Sequence, residues 1–295
     1  EISQLTHDLK DWAADVPSRH PSTGASLNPH ELLTERTMRN EFREKLEQFW
    51  RLRRVGRPEL REDAFITDLA FMGELPALTA DFSHVSALAL SGNSALNASS
   101  GFLECFPGLQ HLELRDFALN HIPRSITGMP SLEKLVLSNC GVALGSEGQA
   151  ILSSLPRLDM LDLFNNPLGS VPDVAAMPAL TFIDLSSTGI DHVPAGWSNH
   201  PRLQTAVLNN NRITEIPPDL YNLPAEVGEG FDFGHNPLSE VTLERVKTYH
   251  RQTGKDLGVL ADQADIDQVL AMYPNLSLEQ ASEYLLLIKT TRARY

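Results

Sequence analysis

The sequence predicts an α/β solenoid of about six to seven repeats, with a parallel sheet on its concave side and a helical cap at each end. Two observations support this prediction. Leucines recur at nearly constant spacing through the middle of the chain, and apolar residues follow helical spacing at both ends. Such patterns arise because each strand or helix must bury one side of itself against a neighbour.

The repeats follow the template L-x-x-L-x-L-x-x-N-x-L, which fits the chain six times and is followed by a weaker seventh copy. The clear copies begin at residues 85, 109, 132, 158, 180 and 203, and the weak copy contains Phe231, Phe233, Asn236 and Leu238. This spacing is that of the leucine-rich repeat. The copies therefore indicate a leucine-rich-repeat solenoid over residues 64–238.

Each repeat is expected to form a short strand at L-x-L, and the strands of successive repeats should pair in parallel. The leucines point into one continuous core, because side chains alternate along a strand. At the Asn position the chain leaves the strand, so a polar side chain there can bond to backbone groups of the neighbouring turn. We predict this role for Asn93, Cys140, Asn166, Thr188, Asn211 and Asn236.

Residues 1–63 are predicted to form a helical cap ahead of the repeats. Apolar residues from Ile2 to Trp12 lie at helical spacing. Asn28 followed by Pro29 indicates the start of a second helix, with Asn28 as its N-cap. A solenoid needs such a cap because its first rung would otherwise expose the core.

Residues 239–295 are predicted to form a second helical cap or linker after the repeats. The first helix should run from Ser239 to about Gln252 and end at Gly254. Two further helices are predicted over Asp265–Tyr273 and Ser277–Arg294.

Composition excludes several classes of function. The chain has 295 residues, is 42% hydrophobic and 21% charged, and carries a formal charge of −14. This acidity argues against general binding to nucleic acids or anionic lipid. No apolar run is long enough to span a membrane, and two cysteines suit a reducing compartment. Because the chain begins with Glu1, we expect it to be a piece of a longer protein.

Neither cysteine is predicted to act as a nucleophile. Cys140 occupies the Asn position of its repeat, and Cys105 lies in an apolar return segment with no histidine near it in sequence. The ten histidines do not show the spacing of a metal site, such as H-E-x-x-H. We therefore expect no catalytic residue, no metal and no cofactor.

The residues beside the paired leucines are predicted to face the concave side of the sheet. Met160, Phe164 and Phe182 are expected to be exposed there, and Asp162, Asp184 and Glu113 should select for basic groups. Apolar side chains ringed by charge are typical of a protein interface, but ordinary exposed residues on an irregular strand would give the same pattern. The complete predicted set is Met160, Asp162, Phe164, Phe182, Asp184, Glu113, Arg115, Val207, Asn209 and Asp232.

Five stretches carry a resemblance to a known family, and they are Leu75–Val85, Gly145–Ala150, Asn236–Ser239, Tyr273–Glu283 and Phe49–Arg51. On these stretches the chain resembles the leucine-rich-repeat region of secreted bacterial effectors that carry a NEL-type E3 ubiquitin ligase domain, the IpaH-like group. It resembles more closely the large, toxin-like multidomain members of that group.

The resemblance implies a protein that is secreted from a bacterium and acts in the host cell cytoplasm. This region would then recognise a host protein as the substrate of a ligase domain elsewhere in the parent protein, and would also restrain that domain. The ligases of this family use a Cys-x-Asp motif. Cys105 is followed by Phe106 and Pro107, and Cys140 by Gly141 and Val142, so no catalytic residue is carried over.

The sequence thus predicts a non-enzymatic solenoid that binds a host protein with a basic and apolar surface, with the parent's own catalytic domain as a further partner. Two alternatives stay open. A structural spacer or autoinhibitory scaffold within a toxin would make contacts only through its caps and convex side. An enzyme with its site in the helical ends would show turnover and a cleft near the C-terminal helices.

Overall fold

The computed structural model describes residues 2–52, 63–98, 100–224, 227, 229–277, 280, 281 and 284. Within these residues, eight strands form one parallel sheet in chain order, and β2 (Gly73–Glu74) pairs separately with β4 (Leu96–Asn97). The strands of the large sheet are β1 (Ala64–Asp68), β3 (Ala87–Ser91), β5 (His111–Arg115), β6 (Lys134–Ser138), β7 (Met160–Asp162), β8 (Phe182–Asp184), β9 (Thr205–Val207) and β10 (Gly230–Asp232). The predicted leucine-rich-repeat solenoid is confirmed.

The template residues of successive strands lie in register and are buried. Leu88, for example, pairs with Leu112, and Leu112 with Leu135, and none of these side chains is exposed. Connecting segments carry short helices: α3 (Ser100–Leu103), α4 (Gly145–Ser153) and 3-10 turns at Arg124–Gly128, Val174–Ala176 and Pro218–Asn222. The fixed apolar positions of strands and connections together form one continuous core.

Strand β1 adds one rung that the sequence template does not detect. It pairs in parallel with β3, so that Phe65 lies opposite Leu88. Thr67 stands where the template has its next leucine, and Ala70 stands at the Asn position. The rung still forms because the N-terminal cap packs on it, as the contact between the Phe65 and Phe49 rings shows.

The predicted polar ladder at the Asn position is confirmed except at Thr188, whose hydroxyl donates to the Leu185 carbonyl of its own rung. Asn166, Asn211 and Asn236 each donate to a carbonyl of the preceding rung, at 2.6, 2.9 and 2.9 Å. The Cys140 thiol donates to the Leu114 carbonyl in the same place. Buried backbone groups between rungs are thereby satisfied.

The N-terminal cap consists of α1 (Ile2–Ala14) and α2 (Pro29–Leu52), as predicted. The Asn28 side chain accepts hydrogen bonds from the backbone amides of His30 and Glu31. The Glu31 carboxylate accepts one in return from the Asn28 amide, which completes a capping box.

The C-terminal helices follow the prediction in part. Helix α5 (Glu240–Thr253) begins after its N-cap Ser239 and ends at Gly254, which has a φ of 76°. Helix α6 (Val259–Met272) starts earlier than the predicted Asp265, because Val259 and neighbouring apolar residues pack on the core. Most of the predicted helix Ser277–Arg294 lies outside the described residues.

The division of the chain at residues 63 and 238 stays a prediction. None of the helices that the structure describes combines the length and apolar character needed to cross a bilayer.

Candidate functional site

The open side of the sheet carries columns of side chains, because neighbouring strands pair in register. The central column is Ile66, Ala89, Glu113, Val136, Asp162, Asp184, Val207 and Asp232. The column before it is Ala64, Ala87, His111, Lys134, Met160, Phe182, Thr205 and Gly230. We call these columns, with the residues two positions after the central one, the concave face. All ten predicted binding residues lie on it.

The three large apolar side chains of the predicted site, Met160, Phe164 and Phe182, are half-buried and keep part of their surface accessible. Met160 lies directly opposite Phe182 in the sheet, and Phe164 lies in the turn two residues after Asp162, where β7 ends. Strands lie about 4.8 Å apart, so large side chains on adjacent rungs cover one another. None of the three is among the residues that pack against the core. They form a partly covered apolar surface that is independent of the core.

Three aspartates border this apolar surface in the same orientation. Asp162 lies opposite Asp184, and Asp232 lies two rungs beyond Asp184. In each, one carboxylate oxygen accepts a hydrogen bond of 2.8 to 2.9 Å from the backbone amide two residues later, namely Phe164, Ser186 and Gly234. These bonds hold the carboxylates in place before any partner arrives.

Asp184 lies between the other two aspartates in the central column. Burial raises its pKa, and the nearby charges of Asp162 and Asp232 raise it further, although hydrogen bonds from Ser186 oppose the shift. Neither Asp184 nor Asp162 forms an ion pair with a residue in the described part of the chain. A cation supplied from outside would therefore relieve the repulsion between them.

Replacing Asp184 with Asn should stabilise the free protein by roughly 0.5 kcal/mol at neutral pH, because it removes a half-buried charge. A raised folded-state pKa means that ionisation of Asp184 opposes folding. The gain of the variant should therefore shrink as the pH falls through the raised pKa of Asp184 and the wild-type carboxylate takes up its proton. Urea unfolding as a function of pH measures the difference. A variant that is less stable at neutral pH would show that the carboxylate supports the fold.

The middle of the concave face carries a closed network of charges. Arg115 donates to the Glu113 carboxylate and, through a second nitrogen, to the Ser138 hydroxyl. His111 lies 3.6 Å from the other Glu113 oxygen. Glu113 is thus already paired within the chain, and its expected role in selecting basic groups stays a prediction.

The remaining predicted residues lie toward the last rung. Val207 is half-buried between Asp184 and Asp232 in the central column. The Asn209 amide donates to the Asp232 carboxylate at 3.2 Å. Together with Asp232, these residues extend the part of the concave face that is bordered by aspartates.

Sequence reasoning missed one residue of the concave face, Ile66, and left Lys134 out of the predicted binding set. Ile66, on the undetected first rung, is 73% exposed. The available signal was the pair Phe65 and Thr67, which precedes Leu88 and Leu90 by one repeat period. Lys134 is exposed opposite His111 and Met160 and forms no ion pair with a described residue.

The two cysteines do not offer a nucleophile. Cys105 and Cys140 are buried, and burial raises the pKa of each thiol to about 11. Both thiols donate to backbone carbonyls, of Leu78 and Leu114 respectively. A thiol must ionise to attack, so neither group is suited to catalysis. The described residues also contain no cluster of three side chains able to hold a metal ion.

Comparison with known proteins agrees with this fold. The family described as "Leucine rich repeat" matches residues 83–142. The chain is 32% identical over 150 residues to PH domain leucine-rich repeat protein phosphatase 1 of Rattus norvegicus, over 50% of this chain and 8% of that protein. It is 29% identical over 141 residues to decorin of the same species, over 46% of this chain and 38% of decorin. The chain therefore spans well under half the length of these curated relatives.

Among solved structures, the leucine-rich repeat domain of the type III effector XopL is similar to this chain. The TM-score is 0.51 at 17% sequence identity, and the match covers 75% of this chain and 83% of that domain. This likeness concerns the fold. A leucine-rich-repeat domain is in general a module for protein–protein interaction.

Proposed function

We propose that the concave face binds a protein partner, with Met160, Phe164 and Phe182 as apolar anchors and Asp162 and Asp184 as the groups that select basic side chains. The observation that supports this most is the position of the three apolar side chains. Met160 and Phe182 lie opposite each other in the sheet, Phe164 follows in the turn after β7, and none of the three is among the residues that pack against the core. Apolar anchors beside charged groups are the usual composition of a binding hot spot.

The proposed mechanism is recognition by a rigid surface. Strand pairing fixes the backbone of the site, and backbone amides hold the aspartates. Such a surface loses little conformational entropy when the partner binds. A Lys or Arg of the partner would lie between Asp162 and Asp184, where it replaces repulsion with attraction.

We further propose that the partner is a host protein, and that the parent protein is a bacterial effector that acts in the host cell cytoplasm. In this proposal the chain recognises the substrate of a ubiquitin ligase domain located elsewhere in the parent protein. The support is the sequence resemblance to effectors of the IpaH-like group.

Replacing both Phe164 and Phe182 with Glu should abolish capture of the partner in a pull-down from eukaryotic lysate. The substitution removes two aromatic anchors. It also places negative charge against the apolar part of the partner's surface. Thermal unfolding should change little, because neither ring packs on the core. The retained protein is identified by mass spectrometry, and its affinity for both forms is then measured by calorimetry.

Leu33→Glu provides the matched control, since Leu33 is 62% exposed on helix α2, away from the sheet. This variant should retain the partner with unchanged affinity. If the double variant retains the same protein as the wild type, the concave face is not the binding surface. If the double variant unfolds, the aromatic rings are part of the core and the proposal fails.

A further inference from the structure

Asp162 and Asp184 each keep one carboxylate oxygen that accepts no hydrogen bond from the described part of the chain. The Oδ1 atom of Asp184 accepts from the backbone amide and the hydroxyl of Ser186, at 2.8 and 2.5 Å. The Oδ1 atom of Asp162 accepts from the Phe164 amide at 2.8 Å and from the Ser138 hydroxyl at 3.1 Å. The Oδ2 atom of each residue is therefore left to accept from a partner.

The two carboxylates lie side by side on adjacent rungs. Asp162 is the register partner of Asp184, and neighbouring strands of a sheet are about 4.8 Å apart. In both residues one oxygen is bound to the backbone amide two positions later, so the two remaining oxygens take the same orientation along the sheet. One cationic group placed between them can therefore donate to both carboxylates.

The charges around Asp184 favour a cation at this place. Burial raises the pKa of Asp184, and the charges that raise it further are those of Asp162 and Asp232. The basic side chains Lys134 and Arg115 lie on β6 and β5, two and three strands away from Asp184. A cation supplied by a partner beside Asp184 replaces repulsion between carboxylates with attraction.

An apolar wall adjoins the two carboxylates. Met160 stands two residues before Asp162 on β7. Phe182 stands in the same position relative to Asp184 on β8, directly opposite Met160. Side chains two residues apart lie on the same face of a strand, so the apolar pair and the acidic pair are neighbours. Both apolar side chains keep part of their surface accessible.

A guanidinium group suits this combination better than an ammonium group. Its N–H donors lie in one plane, so its edge can bond to both carboxylates while its flat face covers the Phe182 ring. An ammonium group would turn an N–H toward Met160 and Phe182, whose side chains offer no strong acceptor. A guanidinium is also more weakly hydrated, so it loses less when it enters a half-buried site.

We infer that the concave face recognises an arginine of its protein partner, whose guanidinium bridges the carboxylates of Asp162 and Asp184 and lies flat against Phe182. This inference rests on the proposed function, because it names the basic group that the same surface selects. A partner with lysine in place of that arginine is bound more weakly.

The probes are N-acetyl-arginine methylamide and N-acetyl-lysine methylamide, titrated into the full chain at neutral pH and followed by the NMR signal of the Met160 methyl group. The arginine probe should bind with a Kd of about 1 mM and the lysine probe about tenfold more weakly. Asp184→Asn should weaken the arginine probe by about tenfold. Phe182→Leu keeps an apolar side chain but removes the ring, so it should weaken the arginine probe by about threefold and the lysine probe less.

Asp219→Asn is the matched control, because Asp219 is exposed on the turn Pro218–Asn222, outside the concave face, and should leave both affinities unchanged. Equal affinities of the two probes, both weakened by Asp184→Asn, would overturn the selection of arginine and leave the proposed function standing. An arginine probe that does not bind, that binds equally well to Asp184→Asn, or that Asp219→Asn weakens as much would also overturn the inference. The pull-down with the Phe164 and Phe182 variant decides the proposed function separately.

Discussion

Replacing Arg39 with Met should lower the free energy of unfolding by about 3–5 kcal/mol, which is the effect of breaking a buried charge network by removing one member. Arg39 is 3% exposed and joins both cap helices to the first turn of the solenoid. Its two terminal nitrogens donate to the backbone carbonyls of Trp12, Asp15 and Met72 at 2.8 to 2.9 Å. The guanidinium also lies 4.8 Å from the centre of the Trp12 ring.

The loss should be larger at neutral than at acid pH. Burial raises the pKa of the Glu35 carboxylate, which accepts from the Met72 amide, and the charge of Arg39 opposes that rise. Without Arg39 the folded-state pKa of Glu35 moves further above its unfolded value. Ionisation of Glu35 then opposes folding more strongly, so the deficit of the variant grows as the pH rises through that pKa.

Urea unfolding followed by tryptophan fluorescence measures this effect, because Trp12 and Trp50 both lie in the cap. Arg36→Met is the control, since Arg36 is exposed on the same helix and should have little effect. Adding Glu35→Gln to Arg39→Met should recover part of the loss. A free energy unchanged by Arg39→Met would show that the hydrogen bonds of Arg39 do not hold the cap.

Replacing Asn166 with Leu should lower the free energy of unfolding by roughly 3–5 kcal/mol, although the side chains are similar in size. Asn166 is 1% exposed and forms five hydrogen bonds with the backbone. Its amide nitrogen donates to Leu137 and to two carbonyls of its own rung. Its oxygen accepts from the amides of Cys140 and Val142, both at 3.0 Å. Leucine would leave these groups buried without partners.

The neighbouring Asn165 provides a matched comparison. Asn165 is exposed, has a φ of 53° and donates one hydrogen bond to Asn139. Asn165→Gly relieves the left-handed backbone while it removes that bond, so its net effect should stay within about 1 kcal/mol. Urea unfolding of both variants gives the comparison. Equal losses in the two variants would mean that Asn166 contributes no more than an exposed surface amide.

The repeat pattern predicted most of the fold because each repeat sets the burial and hydrogen bonding of residues that are close together in sequence. Leu112 and Leu135 must be buried wherever the template occurs, and Asn166 must satisfy the turn beside it. The first rung escaped detection because Thr67 and Ala70 break the template. Its burial depends on helix α2, which is distant in sequence but packs on Phe65.

The sequence predicted where the residues of the candidate site lie, but not which neighbours pair with them or cover them. Alternation along each strand predicts that Asp162, Phe164 and Asp184 lie on the open side of the sheet, and the strand pairing has Asp162 directly opposite Asp184. Alternation says nothing about neighbours on adjacent rungs. It therefore could not show that Glu113 is engaged by Arg115, or that Phe182 is half-covered beside Met160.

The sequence by itself determined the leucine-rich-repeat architecture, the helical ends and the face on which the predicted residues lie. Each of these follows from periodicity, which is a property of the chain read in order. Only the tertiary structure decided the hydrogen bonds by which Arg39 joins the cap to the solenoid, and the pairing of charges within the concave face. These depend on contacts between residues far apart in sequence, such as Arg39 with Met72 and Arg115 with Ser138. Such contacts are fixed by packing in three dimensions.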